Sequence, residues 1–327
     1  MGASKVLSMV LILVPMCLAA VPSSADKIRY GHIANSARSP ASMSLNVAIR
    51  RGFLVKENID LEVIPLPGLG KMIDALDQKT VDLSLVATPF LIEAVMRGSD
   101  AVGVVGGSAT SIHSLIVKPE IKSFTQLKGK IIGLSTRPDT LSIATRLLLE
   151  RHGLKENEYQ VKEMQGTPIR LNCLLSGGCD GAALNQPEDL ILLEKGYQKL
   201  GDSLEVMPEL QFLVIAASRN WSGKNKDLMT RFARAYGNAY RYMRDPSNKK
   251  EIAQILTEST GVTEPIALAM LSLYFEPDRG ALPKQAEISL RGVEKVIELL
   301  VETGQLAKAE PVDRFVDLQF LKAAGMQ

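Results

Sequence analysis

LDQKTVDLSLVATP (residues 76–89) and LLSGGCDGAALNQP (residues 174–187) share little wording, yet Leu76, Asp82 and Pro89 fall on Leu174, Asp180 and Pro187 at one offset of 98. The same offset carries Pro40 onto Pro138, Ser42 onto Thr140, Ser44 onto Ser142, Gly68 onto Gly166, and Arg97-Gly98 onto Lys195-Gly196. One local shift is needed, where GFLVKEN (52–58) parallels HGLKEN (152–157). The matches cluster at helix starts, helix ends and strand entries, where backbone geometry restricts residue choice. Two readings are open. Either the chain holds two similar α/β lobes, or it shows the punctuation any two strand–helix units share.

Working outward, strands are expected at 27–33, 59–66, 81–87 and 101–107, alternating with helices at 42–54, 69–79 and 88–98. A second series follows: strands at 129–135, 159–164 and 180–184, helices at 140–153, 168–178 and 186–196. The rhythm predicts mostly parallel sheets with helices on both faces. After a strand at 212–218 the pattern turns helical, with helices at 226–244, 251–260, 265–275 and 288–304. Such a tail suits covering a sheet already built rather than forming a third domain.

The chain of 327 residues is long enough for a sizeable core. A net charge of +2 without a basic, aromatic-laced cluster points away from nucleic acid. Lys5, the apolar run at 6–21 and small residues up to Ala25 read as a secretory signal peptide cut near Ala25. A retained anchor, or lipidation at Cys17, are the alternatives. No later run is long and apolar enough for a membrane span. Export brings oxidising conditions, so Cys173 and Cys179 are either a local disulfide or two buried thiols. With two cysteines and no nearby histidine, zinc is not expected, and no other cofactor is implied.

In open α/β sheets ligands bind beyond the carboxyl ends of strands. The strand-to-helix loops there are 34–42, 87–89, 134–140 and 185–189. They and the strand end before the first loop supply the expected ligand-binding residues: His32 from the strand end, and Ser36, Arg38, Ser39, Ser42, Thr88, Thr136, Arg137, Asp139, Thr140, Asn185 and Gln186 from the loops. Helix N-termini and an arginine fork suit an anionic or polar group. Each Ser, Thr or Asp also reads as an ordinary helix cap, and His113 and His152 read as structural.

The wording of several segments resembles a known family. NVAIRRGFLVKENIDLEVIPLPG (46–68), LDQKTVDLSLVATP, KPEIKSFTQLKGKIIGLST (118–136), LLSGGCDGAALNQP and RNWSGKNKDLMTRFARAY (219–236) are similar to substrate-binding proteins of the aliphatic-sulfonate, taurine and nitrate type, including the thiamine-pyrimidine-precursor group. The resemblance implies an α/β, two-lobe periplasmic-binding-protein fold (type II) with two mixed sheets and a cleft between the lobes. It places lobe one at 26–113 plus 215–327, lobe two at 114–214, and hinge connections near 113–118 and 212–217. It further implies a periplasmic monomer that binds a small molecule and delivers it to an ABC permease and its ATPase in the inner membrane. Arg137, Pro138 and Asp139 replace the small residues usual in the second-lobe loop. The alternatives are a ligand-sensing partner of a membrane receptor and a thiamine-precursor-type enzyme. The sequence lacks the Cys-rich motif of the enzyme, a nucleophile elbow and a phosphate loop.

Overall fold

The computed structural model describes residues 25–33, 42–68, 70–137, 139–275 and 280–327. Ten strands form: β1 (Asp26–Ile33), β2 (Ile59–Leu66), β3 (Leu83–Ala87), β4 (Ala101–Ser108), β5 (His113–Val117), β6 (Ile131–Leu134), β7 (Gln160–Glu163), β8 (Gly181–Asn185), β9 (Gln198–Asp202) and β10 (Leu213–Ser218). The helices are α1 (Met43–Arg50), α2 (Phe53–Lys56), α3 (Gly70–Asp77), α4 (Thr88–Met96), α5 (Thr140–Arg151), α6 (Thr167–Leu175), α7 (Glu188–Glu194), α8 (Arg219–Lys224), α9 (Lys226–Arg244), α10 (Lys249–Thr260), α11 (Glu264–Tyr274), α12 (Leu290–Glu302) and α13 (Gln319–Ala324). The expected helix at 42–54 is two helices, because Gly52 takes a left-handed φ of 67° between them. Strand β9 and helices α8 and α13 were not anticipated, being short and weakly patterned.

The strands make two five-stranded sheets, ordered β2-β1-β3-β10-β4 and β7-β6-β8-β5-β9. Position for position the two are alike. Three parallel strands are followed by one antiparallel strand, β10 in the first sheet and β5 in the second. The last strand pairs with that antiparallel one, β4 on β10 and β9 on β5. The chain leaves the first sheet after β4 to enter the second at β5, and returns from β9 to enter the first at β10. Each sheet thus takes its antiparallel strand directly after a crossing, which is why the expected mostly parallel sheets are mixed. The crossings lie at residues 109–112 and 203–212, so the boundaries expected at 113/114 and 214/215 fall just inside β5 and β10.

Core and tail explain the sheet strands' composition. β3 and β4 are buried along their whole length, hence near-continuous apolar runs, whereas the edge strand β2 alternates and tolerates Pro65. Helix α9 turns a stripe of Met229, Phe232, Ala233, Tyr236, Tyr240 and Met243 into the first sheet's core. The segment after α11 runs so close over β4 that a Cβ on Gly106 would sit 2.0 Å from the Glu287 carbonyl oxygen. Gly106 N donates instead to Ala286 O at 2.8 Å. The tail thus covers the first sheet, as its pattern suggested.

The crossings are stitched to each other. Ser203 Oγ donates to Ser111 O (2.5 Å), His113 N donates to Ser203 Oγ (3.2 Å), and Thr110 Oγ1 donates to Met207 O (3.3 Å). Ile143 and Ala144 of α5 join the core cluster of the first sheet, and Leu190 and Ile191 of α7 pack against it. The two sheets' layers are thus in apolar contact, and a partly open cavity remains between them.

Candidate functional site

That cavity has a volume of about 180 Å³ and draws its walls from both sheets. From the first come Ala87, Pro89 and Phe90 at the start of α4, and Phe212 before β10. From the second come Ser135, Asp139, Thr140 and Leu141 at the β6–α5 junction, Gly166, Thr167 and Arg170 at α6, and Asn185 at the end of β8. Ser111, on a crossing segment, completes it. The parallel strands β3, β6, β7 and β8 present their carboxyl ends, as open α/β sheets require of a ligand site, whereas the antiparallel β5 and β10 meet it at their amino ends.

Three helix N-termini face this space, and they are not equivalent. Helix α5 is capped by Asp139, whose Oδ1 accepts from Leu141 N at 3.0 Å and whose Oδ2 accepts from Ser135 Oγ at 2.5 Å. Helices α4 and α6 begin at Ala87 and Gly166 with no side-chain cap, and each carries a proline in its first turn. Neither has an acidic residue in its first turn, so no carboxylate of their own offsets the positive ends they bring to the cavity.

Arg170 reinforces that field. Its residue is 3% exposed. Nε donates to Ala183 O (2.7 Å), Nη1 to Met164 O (3.0 Å) and Nη2 to Thr167 Oγ1 (3.1 Å). All three acceptors are neutral, so among the described residues no carboxylate bonds the guanidinium directly, an expensive arrangement for a buried charge. Burial accordingly lowers its pKa from the usual value, and Asp139 and Glu188 oppose that shift. Thr167 Oγ1 in turn donates to Asn185 Oδ1 at 3.2 Å, which orients the Asn185 amide. Nearby His113 is driven down to about 3 by burial and then by the Arg170 charge, so its imidazole is neutral and adds no positive charge beside Arg170.

The structure brings together three of the expected residues at this cavity: Asp139, Thr140 and Asn185. Ser36, Arg38 and Ser39 lie outside the described residues. His32 is buried and shares a 2.8 Å hydrogen bond between Nε2 and Ser42 Oγ, away from the cavity walls. Thr88 is 1% exposed beneath the α4 start, its amide donating to Phe212 O at 3.0 Å. Arg137 turns to the surface instead, where its guanidinium meets Glu156 at 2.8 and 3.3 Å. Asp139, two residues on, caps α5 instead. Thr136 stays in that loop, accepting from Asp139 N at 3.0 Å. Gln186 is buried facing Asp189 and Tyr274 rather than the cavity.

Arg170, Thr167, Ser135, Phe90 and Phe212 were not anticipated. For Arg170 a signal existed. It shares a helical face with Cys173 and Leu174, the three buried residues of α6, so it is a charge on an apolar stripe. Cys173 and Cys179 form a disulfide that joins the end of this helix to the strand entry at β8. Of the histidines read as structural, His152 stacks on Phe124 at 3.9 Å between ring centroids. Among the described residues no group of His, Cys, Asp and Glu could hold a metal ion, and no helix is long and apolar enough to cross a membrane.

A sequence profile described as NMT1/THI5 like matches residues 39–249. No curated protein sequence matches the chain. Among solved structures, a ligand-binding component of an ABC-type import system from Staphylococcus aureus, with zinc bound, superposes with a TM-score of 0.75 at 16% identity, over 92% of this chain and 100% of that one. The periplasmic aliphatic sulphonate-binding protein SsuA from Escherichia coli gives 0.67 at 19% identity, over 90% and 92%. The desulfurization enzyme DSZB gives 0.69 at 16% identity, over 91% and 98%. These likenesses establish a fold used by binding proteins and by an enzyme alike.

Proposed function

The chain belongs to the NMT1/THI5-like family, and from that premise we propose that it is an extracytoplasmic solute-binding protein. It captures a small organic anion between two lobes, one built on each sheet, and presents it to an ABC importer. The observation that carries this reading is Arg170: a buried guanidinium whose bonds among the described residues all go to neutral acceptors, at the uncapped start of α6, on the wall of a cavity between the two sheets. A carboxylate, sulfonate or phosphonate there would bond the guanidinium directly, which neither Asp139 nor Glu188 does among the described residues, and would sit at the positive ends of α4 and α6. Phe90, Leu141 and Phe212 would take the apolar part of the same molecule. Asp139 caps α5 and disfavours a second negative group on its side.

Binding rather than catalysis is the better reading. Both cysteines among the described residues are tied in the disulfide, so neither offers a thiolate nucleophile. The histidine nearest Arg170 is buried neutral and lies off the cavity walls. The leader-like N-terminus favours export to the periplasm, where such a protein would meet its permease.

Calorimetric titration of the purified protein with short alkanesulfonates, alkanoates and neutral pyrimidines tests this. An anionic class is expected to bind at micromolar Kd or tighter. Arg170→Met, which keeps the stem's packing, should weaken it at least ten-fold, about 1.4 kcal/mol. Arg137→Ala should change it less than two-fold, because that side chain is spent on Glu156 at the surface. Equal losses in the two variants, or binding confined to neutral compounds, would sink the proposal.

A further inference from the structure

One buried polar chain crosses from lobe to lobe and has no place in the ligand site. Gln186 sits directly after Asn185, at the junction of β8 and α7, with its residue 2% exposed. Its Nε2 donates to Asp189 Oδ2 at 2.7 Å, which fixes the amide's orientation. Asp189, 1% exposed, also accepts from Ser114 Oγ at 2.8 Å and from Leu190 N at 2.7 Å. With Nε2 committed, Gln186 presents Oε1 outward, and the phenol of Tyr274 donates to it at 3.0 Å. Tyr274 ends α11 and packs in the core of the first sheet. Every other bond in this chain lies within the second lobe.

We propose that Tyr274 and Gln186 form a closure latch: they are positioning residues that touch no ligand and set how firmly the cleft shuts. The inference rests on the two-lobe binding reading and adds how that site is held closed. Parting the lobes must break the Tyr274–Gln186 bond while leaving the Gln186–Asp189–Ser114 chain intact. The acceptor is therefore preformed, and the phenol returns to a fixed target. In the closed form the bond is shielded from water, because Gln186 and Tyr274 are both buried. Deleting the hydroxyl leaves Gln186 Oε1 buried without a donor in the closed form, whereas in the open form water satisfies it. The change therefore penalises one state only, which is what shifts a population.

The test needs no ligand. Nitroxide labels at Val55→Cys and Glu194→Cys, exposed positions on the two lobes, report the interlobe distance by double electron–electron resonance. Cys173 and Cys179 are protected in their disulfide, and Cys17 is replaced by serine in every labelled variant. In ligand-free wild-type a closed population is expected. Tyr274→Phe, which retains the buried ring, should lower the closed-to-open ratio at least five-fold while the thermal midpoint moves only slightly. Ser114→Ala, which loosens Asp189 but keeps the crossing bond, should lower it less. A ratio unchanged by Tyr274→Phe overturns the latch, as does a wild-type that is wholly open without ligand. If the ratio falls as expected but no anion binds, the latch stands and the anionic-ligand proposal falls. If anions bind and the ratio does not move, the reverse holds.

Discussion

Residues 74–82 and 172–180 run the same backbone course with different side chains. In the first lobe Gln78 N donates to Asp74 O, Lys79 N to Leu76 O, and Val81 N to Ala75 O, at 2.9, 3.0 and 3.4 Å. In the second, Ser176 N donates to Asn172 O, Gly177 N to Leu174 O, and Cys179 N to Cys173 O, at 2.9, 3.3 and 3.0 Å. Each segment then enters its sheet through an aspartate. Asp82 N donates to Arg29 O, and Asp82 Oδ2 accepts from Arg29 N at 2.9 Å. Asp180 N donates to Ile131 O, and Asp180 Oδ2 accepts from Ile131 N at 3.0 Å. The aspartate clasps the neighbouring parallel strand in both lobes, one step before the ladder between β3 and β1, or β8 and β6, begins. What is repeated is a set of backbone constraints. How each turn is fastened was solved separately, with Thr80 Oγ1 on Ala75 O in one lobe and a disulfide in the other.

The clasps should give the largest difference. Asp82 holds the Arg29 guanidinium as well, Nε at 3.0 Å and Nη2 at 2.6 Å, with its own side chain 9% exposed. Asp180 holds Lys118 Nζ at 2.8 Å and is 19% exposed. Asp82→Ala strands a strand amide and a part-buried guanidinium together, and should cost about 3 kcal/mol. Asp180→Ala should cost about 2 kcal/mol, since Asp180 is the more exposed carboxylate and holds its cation by one hydrogen bond rather than two. Denaturant unfolding of both variants measures this. A reversed order would show that the aspartates are equivalent by position only.

The fastenings come next. Replacing Cys173 and Cys179 together by alanine should remove about 2 kcal/mol, the chain-entropy value for so short a loop, read from the shift in denaturant midpoint. If the two turns are alike in space as well as in bonding, Ala75→Cys with Val81→Cys should oxidise to a second disulfide in the first lobe. Mass spectrometry without reducing agent decides it. Two free thiols under oxidising conditions would mean that the shared hydrogen bonds hide a different relative placement of the β-carbons.

This comparison also separates what was readable in the sequence from what was not. The offset of 98 was visible because Leu, Asp, Gly and Pro at turn and strand entries answer to local backbone geometry. Strand β3 maps residue for residue onto β8, from Leu83–Ala87 to Gly181–Asn185. The ligand wall was less readable because it is set by which way a loop turns. Arg137 and Arg170 are both single arginines near a helix start, yet the first meets Glu156 at the surface and the second is buried at the cavity. Gln186 matches Thr88 by register, yet it crosses to Tyr274, a residue 88 positions away that no local pattern connects to it. The antiparallel strands β5 and β10 likewise follow from the exchange of chain between sheets, which a strand–helix rhythm does not encode.

The smallest expected effect tests the repeat at a single torsion. Lys79 and Gly177 occupy matching places, and both have positive φ, 58° and 78°. Lys79 is exposed. A lysine in the left-handed region is disfavoured by about 1 kcal/mol relative to glycine, partly offset by the greater freedom glycine loses on folding. Lys79→Gly should therefore stabilise the first lobe by about 0.5 kcal/mol. Gly177→Lys should destabilise the second by a similar amount, because nothing lies within 4 Å of a Cβ there and only the torsion opposes the change. Equal and opposite shifts in unfolding free energy would show that the two turns impose the same backbone demand. A loss in both variants would mean that Lys79 contributes an interaction in the first lobe that glycine cannot replace.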